Sequence, residues 1–165
     1  MEMHSDFVVN APAEQAWHVI GEMFADIGEW TCSIQRSWLD GELGVGAVRS
    51  CESPGFGPFK PGVYSEKLTQ FDPEAMAFTY VATEGMPWFT TLAMNRWSVE
   101  AIDENRCRVR SHATLELLWW LRPLAPLLRL ATKKPLREVG EELIHRVEKG
   151  VPHPRKIGLS VAEVA

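Results

Sequence analysis

A period-two apolar strand that runs straight into two short helices leaves few architectures open to a chain. Residues Asp6–Gly28 read DFVVNAPAEQAWHVIGEMFADIG. Phe7 and Val9 alternate with Asp6 and Val8, the pattern of a strand with one face on a core. Asn10 and Pro12 stop that strand, and proline suits the first turn of a helix. Ala16, Trp17, Ile20 and Phe24 then recur at helical spacing, which predicts an amphipathic helix over Ala13–Met23. A second short helical segment is expected to end near Gly28–Trp30.

The rest of the chain reads mainly as strands. Ser33–Leu39 and Ala47–Glu52 flank the glycine turn Asp40–Gly46, which no Lys-Ser/Thr follows and which is therefore no phosphate loop. Ser53–Gly62 holds three prolines and three glycines and must be a loop. Its Phe56 and Phe59 are costly to leave in water, so it reads as a flap over an opening. Val63–Phe71, Met76–Thr83, Trp88–Ala101 and Arg106–Leu117 follow as strands, with turns at Asp72-Pro73-Glu74 and Asp103–Asn105. In the last strand Arg106, Arg108 and Arg110 alternate with Cys107, Val109, Ser111 and Ala113. His112 falls on the arginine face and reads as a surface residue. Lys134–Lys149 carries Leu136, Gly140, Leu143, Ile144 and Val147 as one helical stripe, with Glu141, Glu142, Arg146 and Glu148 off it. Gly150 and Pro152 end that helix, and residues 151–165 show no periodicity and are expected to be a flexible tail. One domain over residues 1–150 accounts for the pattern.

Composition excludes several classes. A net charge of −5 supplies no broad basic face for phosphates, so nucleic acid is not an expected partner. Cys32, Cys51 and Cys107 form no CxxC or Cys/His set, so neither a metal nor a cofactor is expected. Met1–Asn10 is too acidic for a secretory signal, and a reducing cytoplasm is the simplest home. Leu115–Ala131 is the longest apolar run, but Glu116, Arg122 and Arg129, with Pro123 and Pro126, keep it from reading as a spanning helix. It reads first as a strand end plus a loop or helix over a cavity mouth, and second, through Trp119 and Trp120, as a membrane-surface contact. Seven tryptophans in 165 residues suit either a bulky core or a cavity lined for flat guests.

The order of strand, two short helices, six strands and one long C-terminal helix is the helix-grip arrangement, an α+β fold. The stretches VNAPAEQAW (9–17), GELGVGAVR (41–49), EKLTQFDPE (66–74), FTYVATEG (78–85) and RWSVE (96–100) resemble the SRPBCC superfamily. That group includes START lipid-transfer domains, the birch-pollen allergen and the polyketide cyclase/dehydrase branch, and the last is the nearest in look. The resemblance implies a sheet of about seven strands curved around the last helix, with an internal cavity between them.

With faces assigned by alternation and by the family pattern, Arg49 and Cys51 point inward, as do Tyr64, Glu66 and Leu68. Phe78 and Tyr80 do so as well, together with Asn95, Trp97 and Val99, and with Val109, Ser111 and Ala113. Gly140 and Ile144 are the helix positions expected to face the same space. Trp30, Trp88 and Trp97 are candidates to stack on a planar guest, with plain core packing as the alternative. Arg49 and Glu66 fall on neighbouring strands, where they form either a buried ion pair closing the sheet or a functional pair. In an enzyme, Glu66 or Tyr80 would move a proton while Arg49 or Asn95 held an oxyanion. Three functions follow as expectations. The first is a binder of a hydrophobic small molecule such as a lipid, isoprenoid or polyketide. The second is a cofactor-independent cyclase, aromatase or dehydratase acting on an enolisable polyketide in the same cavity. The third is a protein-interaction module. A monomer or a homodimer paired through the first strand is expected.

Overall fold

The structure, a computed structural model, describes residues 1–55 and 60–162. Its centre is a seven-stranded antiparallel sheet in the order β1-β7-β6-β5-β4-β3-β2. The strands are β1 (Glu2–Val9), β2 (Arg36–Asp40), β3 (Val48–Ser53), β4 (Gly62–Asp72), β5 (Ala77–Glu84), β6 (Thr90–Asp103) and β7 (Arg106–Leu117). β1 crosses the whole length of the chain to pair with β7, Phe7 opposite Val109 and His4 opposite His112. The other neighbours follow one another in sequence, so six of the strands form one continuous meander. Register shifts in the β4–β5 and β6–β7 ladders bend the long strands, as bulges do.

Between β1 and β2 the chain runs through α1 (Ala13–Trp17), a π-helical turn (His18–Glu22), a 3-10 turn (Phe24–Asp26) and α2 (Ile27–Trp30). The helix expected over Ala13–Met23 is therefore one helical run, but it widens midway. Gly21 permits this: a Cβ there would lie 2.6 Å from the Trp17 ring, which packs over it. Trp17, Val19, Ile20 and Phe24 are buried in the core with Phe78, Leu68 and Val109.

After β7 the expected strand end is found at Leu117, followed by a 3-10 segment (Trp119–Leu124) and α3 (Ala125–Lys149). The helix begins nine residues before the predicted Lys134. Pro126 sits in its first turn, where no N–H is needed, and Pro135 is accommodated inside it. Its buried face carries Leu143 and Val147, and at Gly140 it comes so close to β1 that a Cβ would meet the Phe7 ring at 3.1 Å. Glu142, placed off the apolar stripe by the sequence, is only 1% exposed. Beyond Gly150, in the segment expected as a tail, Pro154–Ala162 forms a further helix, α4. Arg155 of α4 lies 2.8 Å from Glu141 and 3.5 Å from Glu138, and Lys156 donates to the Ile34 carbonyl at 2.7 Å. No helix among the described residues is long and apolar enough to cross a membrane.

Candidate functional site

Alternation along β3 and β4 brings Arg49 and Glu66 face to face as direct cross-strand partners. Both point into the core, with side chains 3% and 8% exposed. Arg49 donates to Glu66 Oε2 through Nε at 3.0 Å and again through Nη2. Its third donor, Nη1, reaches the Phe24 carbonyl at 2.6 Å. The guanidinium lies 3.7 Å from the Phe24 ring centroid and 5.4 Å from that of Tyr80, a cation held over two aromatic faces. Burial opposes the Arg49 charge, but Glu66 outweighs it and holds the guanidinium protonated more firmly than usual.

Around this pair the inward residues satisfy one another. Cys51 Sγ lies 4.0 Å from Glu66, and burial pushes its thiol up to about 12. Ser111 donates to Asn95 Oδ1 at 2.9 Å, and Asn95 Nδ2 donates to the Tyr80 hydroxyl at 3.3 Å. Burial, and then the Glu66 charge, raise the Tyr80 phenol well above its ordinary value, so it stays protonated. Tyr64 sits opposite Cys51 and is raised by burial in the same way.

A cavity of about 20 Å³, room for one or two waters, lies between the sheet and the first helical run. Val19, Ile20, Met23, Phe24, Ile27 and Trp30 line it from the helical side, and Arg49, Phe78, Tyr80 and Trp97 from the sheet. Among the expected site residues, Trp30, Arg49, Tyr80 and Trp97 are thus brought together. Glu66 and Cys51 stand behind Arg49, and Asn95 and Ser111 behind Tyr80. Gly140 is spent on the contact with Phe7, and Ile144 packs against the core cluster. Trp88 stands elsewhere: it is 72% exposed and leans at a tilt against Trp120, with ring centroids 5.7 Å apart. Phe56 and Phe59 lie outside the described residues.

Two features escaped the sequence reading. Trp30 is 4% exposed, and its indole N–H is buried without a hydrogen-bond partner among the described residues. Glu142 Oε2 accepts from Thr31 Oγ1 at 2.8 Å and from the Cys32 N–H at 3.0 Å, fastening the end of α2 to α3. Arg155 Nε stands 3.6 Å from the other oxygen of this buried carboxyl.

On the opposite face of the sheet, Glu2, His4 and His112 bring their donor atoms within 4.8 Å of one another. The two rings stack at 4.2 Å, and the His4 and Glu2 side chains are 66% and 61% exposed. His112 lies at the surface as expected, its side chain 43% exposed and stacked on His4.

The fold has many structural relatives. A START superfamily protein from Mycobacterium smegmatis matches with a TM-score of 0.72 and 16% identity, covering 90% of this chain and 97% of that one. The di-domain ARO/CYC protein BexL from the BE-7585A biosynthetic pathway matches with a TM-score of 0.70 and 19% identity, over 90% of this chain and 46% of that one. Norcoclaurine synthase from Thalictrum flavum, solved with dopamine and hydroxybenzaldehyde, matches with a TM-score of 0.68 and 20% identity, over 90% of this chain and 87% of that one. No curated protein sequence matches. The family model described as polyketide cyclase/dehydrase and lipid transport matches residues 2–149. The chain accordingly belongs to the polyketide cyclase/dehydrase and lipid transport family of the SRPBCC superfamily.

Proposed function

We propose that this protein binds a hydrophobic small molecule, of lipid, isoprenoid or polyketide type, in the space between the first helical run and the sheet. One observation carries this reading: the ionisable groups that face inward are already paired. Arg49 is held by Glu66 and the Phe24 carbonyl, and the Tyr80 phenol is kept neutral by burial. A general base needs a lone pair aimed at substrate and a pKa near the working range. Neither Glu66, which stands behind Arg49, nor Tyr80 is placed for that role.

The cavity as it stands is too small for such a guest, since ligand pockets run to roughly 300–1,000 Å³. Binding therefore goes with displacement of the His18–Trp30 segment, which supplies most of the apolar lining. That segment is built from a π turn, a 3-10 turn and one short α-helical turn, the elements that give way first in a helical run. A guest oxygen has two partners waiting in the opened space. One is the orphan Trp30 N–H and the other is the Tyr80 hydroxyl.

The cyclase reading keeps one point in its favour: Arg49 and Tyr80 both reach the cavity wall, where they could polarise a carbonyl. Native mass spectrometry of freshly purified protein, followed by identification of whatever denaturation releases, tests the binding reading. An apolar molecule bearing an oxygen is expected. Trp30→Phe should weaken its affinity about tenfold or more, because the oxygen loses its donor while an aromatic ring is kept at the position. Turnover of a polyketide-type substrate that survives Trp30→Phe but is lost in Tyr80→Phe would overturn the carrier assignment in favour of catalysis.

A further inference from the structure

Apolar side chains on the buried side of α3 need no explanation, but those on its outer side do. The buried stripe runs through Thr132, Gly140, Leu143 and Val147. At 100° per residue Leu127 and Leu130 fall on the far side of the helix, and they are 65% and 70% exposed. The 3-10 segment just before adds Trp119, 77% exposed, and Trp120, which leans at a tilt against the exposed Trp88 at the start of β6. The amide of Leu118 donates to the Phe89 carbonyl at 3.0 Å and ties these two pieces together. Three tryptophans at this end of the sheet and two leucines on the adjoining helix are thus left largely open, with only Trp88 and Trp120 partly covering each other. A patch of this kind marks an interaction surface.

Its charge identifies the partner. From Leu117 to Arg137 the sequence holds Arg122, Arg129, Lys133, Lys134 and Arg137 and no acidic residue, in a chain whose net charge is −5. Lys134 and Arg137 share the outer side with Leu127 and Leu130, are 75% and 70% exposed, and form only solvent-facing i,i+4 pairs with Glu138 and Glu141. Tryptophan and leucine flanked by lysine and arginine are the composition that seats a helix in a bilayer interface. The indoles sit at headgroup depth, and the cations meet anionic lipid. A protein partner of matching shape would call for a hydrophobic face with acidic groups, whereas a bilayer supplies both depth and charge without any matched contact.

We propose that the surface formed by Trp88, Trp119, Trp120, Leu127 and Leu130, with its rim of lysine and arginine, docks on an anionic lipid bilayer. This is independent of which guest the cavity holds. The test is co-sedimentation of the full chain with phosphatidylcholine vesicles, with and without phosphatidylglycerol, read alongside tryptophan emission. The native protein should sediment with the anionic vesicles, shift its emission to the blue, and release as salt rises. Trp119→Ser and Leu130→Ser, each at a largely exposed position, should weaken partitioning by about tenfold or more while leaving the urea midpoint in place. Lys134→Glu should weaken it on anionic vesicles alone. Absence of binding to phosphatidylglycerol vesicles, or binding unchanged in Trp119→Ser, overturns the proposal. So does a dimer in solution that Trp119→Ser dissolves while vesicle binding is nil, since the face would then belong to a second copy of the chain.

Discussion

Glu66→Gln removes one charge from the most deeply buried ion pair of the sheet and leaves the shape nearly unchanged. Arg49 is 3% exposed, so its guanidinium has little recourse to bulk water when the carboxylate goes. Breaking a buried pair by deleting one partner costs about 3–5 kcal/mol, because the remaining charge is uncompensated. Glutamine keeps one carbonyl oxygen to accept from Nε or Nη2, and the Phe24 carbonyl still takes Nη1, so the expected loss is about 2–4 kcal/mol. For a domain of this length that corresponds to a melting point lower by roughly 5–15 °C. Urea denaturation followed by tryptophan emission measures it directly. The control is Arg49→Met with Glu66→Leu, which removes both charges and keeps the volume. It should recover most of the loss and stay within about 2 kcal/mol of the native protein, with the orphaned Phe24 carbonyl as the residual cost. A Glu66→Gln cost below about 1 kcal/mol would refute the reasoning, since that is the range of pairs open to solvent.

Three further outcomes follow from other contacts. Glu142→Leu deprives the Thr31 hydroxyl and the Cys32 amide of their acceptor inside the core, and should cost about 2–4 kcal/mol in the same assay. Gly85→Ala combines a φ of +76° with a Cβ placed 2.2 Å from the Val63 carbonyl oxygen, and should lower the midpoint by about 2 kcal/mol or more. Cys51, fully buried with its thiol pushed up to about 12, and Cys32, raised to about 11 by burial and then by Glu142, should resist alkylation by iodoacetamide at neutral pH until the chain unfolds. Because both thiols are raised above the unfolded value of 9.0, their contribution to stability is whole below that pH and is lost as pH rises through 11 to 12. A urea midpoint that holds constant across that alkaline range would contradict it.

The strands were readable because their code is short. Alternation, together with the family pattern, placed Arg49, Glu66, Phe78, Trp97 and Ser111 on the inner face, and a shift of one residue in any strand would have turned them outward. The family resemblance then ordered the elements. What stayed hidden depends on departures from a single period. The π turn at His18–Glu22 and the 3-10 turn after it break the 3.6-residue rhythm, so the residues that line most of the cavity did not appear as one face. Pro123 and Pro126 interrupt the apolar run, which read as a strand end plus a loop or helix apart from Lys134–Lys149, yet Pro126 falls in a first turn, where it costs no hydrogen bond, so α3 starts nine residues early. Glu142 was set off the apolar stripe, whereas Thr31 and Cys32, distant in sequence, donate to its buried carboxyl and Arg155 stands beside it. Trp88 precedes the first residue of β6 and escapes the alternation that placed Trp97.

The helical run over the cavity is fastened by Phe24 to Arg49, by Ala25 and Gly28 to the Ser37 hydroxyl, and by Thr31–Cys32 to Glu142, and the first and last of these use hydrogen bonds with a buried ionised or ionisable partner. This has a consequence in time rather than in affinity. If, as proposed, the guest lies under this run, its release would require these bonds to break first, and the rate of that event would belong to the protein and not to the molecule inside. Guests of different affinity would then be released at similar, slow rates, set by the latch. A molecule captured when the chain folds would outlast purification, and Arg49 and Glu142 would act as the clock of exchange more than as contacts of the guest.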